Sequence, residues 1–121
     1  MTQAIIWRGF AGLAGASAVM LMAVGAHGIS DTYHQDLLQT ATVLQLFHAV
    51  ALLAIDSKPG RRLMGARLLW VMGILLFCGA LYAKVFAPAL MLPPLAPVGG
   101  ISFMMGWLCV AVSGFGRRRA P

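Results

Sequence analysis

Four long stretches of this sequence carry few polar side chains: 6–26, 37–55, 68–86 and 98–115. Each has the length at which an α-helix, rising about 1.5 Å per residue, crosses a hydrocarbon core of about 30 Å. Between the second and third lies the segment 56–67, DSKPGRRLMGAR, whose Pro59-Gly60 pair marks a turn. The pattern predicts an all-α integral membrane protein, a single four-helix domain over 1–121 built as two hairpins that the 56–67 loop joins. Arg8 ahead of the uncharged stretch 9–25 and Val24-Gly25-Ala26 near its end also fit a signal peptide. Its removal would leave three spans and put the basic middle and basic tail on opposite sides, so a retained anchor is the expectation.

Within the first run Gly9, Gly12 and Gly15 recur every third residue, among Ala11, Ala14, Ala16 and Ala18. Small side chains let helices approach closely, and packing contact is the main force left when lipid removes the hydrophobic drive, so a glycine seam is predicted here. No strand precedes these glycines and no Lys-Ser or Lys-Thr pair follows, which argues against a nucleotide loop. Gly28 can end the first helix, and Ser30 or Asp31 can cap the second. The second run is the least apolar, with Gln39, Thr40, Thr42, Gln45 and His48. Helical spacing puts His34, Ala41, Gln45 and His48 on one broad face, which should turn toward protein because an unpaired amide or imidazole in hydrocarbon is costly. In the third run Gly73 and Gly79 mark close backbone approach, Trp70 and Tyr82 suit the interfacial belts, and Lys84 can extend to headgroups. Pro88, Pro93, Pro94 and Pro97 then predict a tight, partly buried crossing loop. Gly25, Gly28, Gly79, Gly99, Gly100 and Gly106 complete the set of packing glycines.

Composition fits this picture, with 60% apolar residues, 10% charged and a net charge of +6. Spread over a soluble surface, that charge would point to nucleic acid; beside apolar runs it points to anionic lipid headgroups instead. Lys58, Arg61, Arg62, Arg67, Arg117, Arg118 and Arg119 are accordingly expected to set topology and touch headgroups. If the termini and the 56–67 loop share one side, that side holds eight of the nine basic residues and the other only Lys84. The asymmetry predicts cytoplasmic termini.

His27, His34 and His48 are the candidates for chemistry. A neutral His48, about two turns inside its span, can donate to Gln45, Thr42 or a carbonyl and accept a second bond, stitching helices together. Haem needs axial ligands at matching depth, and His48 is deeper than His27 and His34. Zinc through His27, His34, Asp31 and Asp36 at the membrane edge is the other metal alternative. Proton or small-solute transfer along the polar face stays open because histidine changes charge near neutral pH, although no Asp, Glu or Arg lies at a span centre. Cys78 and Cys109 lack a CxxC or His-rich setting and are expected to pack. With three acidic residues and no nucleophile–base arrangement, catalysis and a bound cofactor are not expected.

The phrases GLAGASAVML, VGAHGI, LFHAVALLAI, LLFCGALYA and APVGGISFMMGWL, in that order and spacing, resemble the domain of unknown function 423 family of small membrane proteins, which includes transmembrane protein 256. The similarity covers roughly 9–114, and its motif positions are Gly25, Ala26, His27, Gly28, His48, Ala49, Gly79, Leu81, Tyr82, Pro97, Gly99, Gly100, Gly106 and Trp107. Cys78 or Ala80 stands where relatives commonly have serine, and Ala96 where they often have threonine, which weakens any case for hydroxyl chemistry there. The resemblance implies a four-helix protein of the bacterial inner membrane and no assigned activity. The leading functional expectation is a small structural or accessory membrane protein, packing in a homo-oligomer or a larger complex, without a nucleic-acid partner. A channel or transporter around His48 is the alternative, and a metal or haem protein at His27 and His34 the second; Gln45 and Tyr82 join the histidines as functional or packing candidates.

Overall fold

The computed structural model describes residues 2–115, so Arg117, Arg118 and Arg119 lie outside the described residues. Among the described residues, four helices are long and apolar enough to cross a membrane: α1 Thr2–Gly28, α2 Thr32–Ala54, α3 Arg61–Phe86 and α4 Leu95–Ser113. Each begins ahead of the apolar run it contains: in α1, α2 and α3 helix extends through polar first turns such as Arg61-Arg62, and in α4 through Leu95-Ala96-Pro97. α2 starts on the N-cap Asp31, whose side chain accepts from the His34 amide at 3.3 Å and so satisfies one free donor.

Among the described residues, α1 lies along α2 alone, α2 stands between α1 and α3, and α4 packs chiefly on α3. On α2 the buried positions Leu38, Ala41, Gln45, His48, Leu52 and Ile55 recur at alternating steps of three and four, which hold one face of a helix. The glycines expected to form a seam on α1 divide between two faces. Its buried face is Ala11, Ala14 and Ala18, with Gly15 beside Leu46 and Gly25 against Leu38, whereas Gly9 and Gly12 look outward with nothing within 4 Å of a Cβ position. Repeated steps of three drift by about 60° each, so three such glycines cannot share one narrow seam.

The tightest backbone approach is between α3 and α4. Gly73 faces Phe103, Gly106 faces Trp70, and Gly99 lies directly on the backbone of Phe77. Phe77 belongs to a π-helical turn, Ile74–Cys78, in which the amide of Gly79 reaches back to the carbonyl of Ile74. Gly79, expected at a close approach, has open space around it.

Three further expectations are corrected. Trp70, assigned to an interfacial belt, is 1% exposed in the core, and Tyr82 is half-buried and aimed inward. The 87–94 turn is largely exposed rather than partly buried. Arg67, assigned to headgroups, is 4% exposed. Its guanidinium donates to the carbonyls of Ile55, Asp56 (3.2 Å) and Lys58 (2.8 Å), at the C-terminal end of α2. Those carbonyls follow directly on the last turn of α2, beside the negative end of its dipole, so a cation is well placed there. Arg67→Met should lower stability by about 1 kcal/mol, water taking over part of the capping. Arg67→Lys should recover only part of the loss, since the three carbonyls converge on Nη2 and the lysine stem sets its ammonium one atom short of that point; denaturant titration in mild detergent checks both.

Candidate functional site

Polar chemistry inside the bundle centres on two residues of α2. Gln45 uses both amide hydrogens toward α1, donating to the carbonyl of Ala14 at 2.7 Å and to Ser17 Oγ at 2.8 Å. Its carbonyl oxygen accepts from the hydroxyl of Tyr82 on α3 at 2.5 Å. One side chain therefore ties three helices together, and the partners fix the orientation of the amide.

One turn further along, His48 faces α3 and α4. Its ring stacks on Phe103 with centroids 3.8 Å apart at 16°, and meets Trp70 and Trp107 edge-on. Nε2 accepts from the indole N–H of Trp107 at 3.1 Å, while Nδ1 lies 2.7 Å from the carbonyl of Leu44. An indole only donates and a carbonyl only accepts, so the pair of bonds fits the neutral ring with its proton on Nδ1. Lesser stitches flank these two: Cys78 Sγ donates to the Ala41 carbonyl at 3.3 Å, Ser102 Oγ to the Leu69 carbonyl at 2.6 Å, and Arg62 to the Val112 carbonyl at 2.7 Å. Arg8 of α1 pairs with Asp56 just beyond α2.

The other histidines lie apart from this belt. His34 pairs with Asp31, its own helix cap, and His27 is exposed at the end of α1. Among the described residues, no group of three His, Cys, Asp or Glu side chains could hold a metal ion. His27, His34, Asp31 and Asp36 are therefore not gathered into the ligand set that the metal alternative requires.

Residues 21–100 match the family described as protein of unknown function (DUF423). A UPF0382 membrane protein of Haemophilus influenzae is 36% identical over 112 residues, 85% of this chain and 88% of its own. The chain belongs to the DUF423 family. A UPF0382 membrane protein of Staphylococcus aureus is 34% identical over 105 residues, covering 81% of this chain and 85% of that one. The UPF0382 inner membrane protein YgdD of Escherichia coli K12 is 31% identical over 117 residues, with coverage of 91% and 89%. No solved structure matches the chain. Family membership and the four apolar helices make this DUF423 protein a multi-pass protein of the inner membrane.

The motif positions of this DUF423 chain divide by geometry. His48, Tyr82 and Trp107 make stitches, and Gly25, Gly99 and Gly106 lie under Leu38, Phe77 and Trp70. Gly100 touches Phe77 more loosely, and Gly28 meets only Val24 of its own helix. Several contributors are not signalled by residue type alone: Ser17, Phe103, Ser102 and the capping role of Arg67. Ser17 had one legible cue, being the only hydroxyl within the apolar run of α1.

Proposed function

We propose that the protein is a small non-enzymatic membrane subunit that packs, through the outward face of α1, in an oligomer or a larger membrane complex. The supporting observation is that α1 rests on α2 alone while Gly9 and Gly12 turn outward with open space above them. Inward glycines of this chain serve close approach, and the same small residues facing away invite another helix. Gln45 and His48 spend their hydrogen-bonding groups inside the chain, which favours holding helices together over carrying a solute.

Extraction of native membranes in mild detergent, followed by native mass measurement, should find this chain above its monomer mass or with a co-purifying membrane protein. Gly12→Leu should shift that population to the single chain without loss of stability, because the new side chain meets no neighbour within the monomer. A lone monomer from unmodified membranes, without a companion, would sink the proposal.

A further inference from the structure

The turn between α3 and α4 does not have the chemistry of a loop in water. Residues 87–94, APALMLPP, contain no polar side chain, yet Leu90 is 61%, Met91 97% and Leu92 47% exposed. Connections that stand in water seldom display such a contiguous apolar set. We infer that this turn is seated in the lipid boundary of the leaflet it faces, with Leu90, Met91 and Leu92 among the upper acyl chains of the surrounding phospholipid.

Helix length supports the depth. α4 has 19 residues, which is about 28 Å of rise and close to the thickness of the hydrocarbon core. A helix with so little excess begins where the core ends, so the turn preceding Leu95 lies at the boundary. Backbone demand supports it as well. Pro88, Pro93 and Pro94 carry no N–H, and the amides of Ala87 and Leu90 bond back to Ala83 and Ala87 at 2.8 and 3.0 Å. Ala89, Met91 and Leu92 are left as the free donors, and ester and phosphate oxygens at that depth can accept from them.

Charge supplies the third argument. Lys84 is exposed near the end of α3 and is the only charged residue between Arg67 and Arg117. Its stem can run along the apolar surface and deliver the ammonium to the phosphate layer, complementary in sign and level with the turn. None of these arguments uses the α1 face, so the inference stands apart from the proposed packing.

The test is a spin label at Met91→Cys, in a Cys109→Ala background where Cys78 is fully buried, reconstituted in phosphatidylethanolamine–phosphatidylglycerol vesicles. Labels at Leu75→Cys, outward on α3, and at Lys58→Cys, in the opposite turn, give the lipid and water references. Oxygen should relax the Met91→Cys label to a level between those of the Leu75→Cys and Lys58→Cys labels, with nickel-chelate collisions several-fold below those at Lys58→Cys. Nickel collisions equal to the Lys58→Cys level would put the turn in water and overturn the inference. A label that neither reagent reaches would mean a protein covers the turn, which overturns it equally.

Discussion

Gly99→Ala is expected to destabilise the bundle by about 3 kcal/mol, at the upper end of what overpacking costs. The added methyl would fall on the backbone nitrogen, Cα and Cβ of Phe77, all closer than real Cβ contacts permit. A clash with the tip of a flexible side chain can be relieved by a rotamer change. Here the neighbour is main chain in the π-helical turn Ile74–Cys78, so α3 and α4 must separate or the turn must rewind. Separation would also stretch the Ser102–Leu69 bond between the same two helices and draw Trp107 of α4 away from His48 of α2. Gly79→Ala provides the internal reference. That position is helical with nothing within 4 Å of the Cβ site, so replacing glycine should be neutral or stabilising by up to about 1 kcal/mol. Equilibrium unfolding of both variants in mixed micelles separates the two, and equal behaviour would mean the α3–α4 contact does not hold in the membrane.

Much of the architecture was legible because lipid imposes a length and a polarity on every span. The four apolar runs, the Asp31 cap and the inward direction of Gln45 and His48 follow from hydropathy and helical spacing. Partnerships were not legible, since period fixes a face and not a neighbour. Trp70 shows the limit: an indole near a span end fits an interfacial belt equally well, and only the facing Gly106 on α4 explains why it is buried. Arg67 shows another, because a basic residue in a basic segment looks like a headgroup ligand until the end of α2 is seen to fold over it. The π-helical turn gave no warning, as the segment ILLFC holds no proline.

Gln45→Leu is expected to cost about 2 kcal/mol, from three interhelical bonds worth several tenths to about 1.7 kcal/mol each in a membrane protein. The substitution keeps side-chain bulk and removes the amide, so the Ala14 carbonyl, Ser17 Oγ and the Tyr82 hydroxyl lose a shared partner. Tyr82→Phe, which deletes one of the three bonds and leaves the ring, should cost about a third as much. The double variant Gln45→Leu with Tyr82→Phe should be no less stable than Gln45→Leu alone, because the hydroxyl has already lost its acceptor. Additive losses would mean that Tyr82 bonds elsewhere in the membrane and that Gln45 ties α1 to α2 only. The outcome also bears on function. A glutamine that serves to pin α1 leaves that helix mobile when removed, so Gln45→Leu should weaken any assembly made through Gly9 and Gly12 although neither glycine is touched. Assembly that survives Gln45→Leu but not Gly12→Leu would show that the outer face of α1 acts without the inner latch.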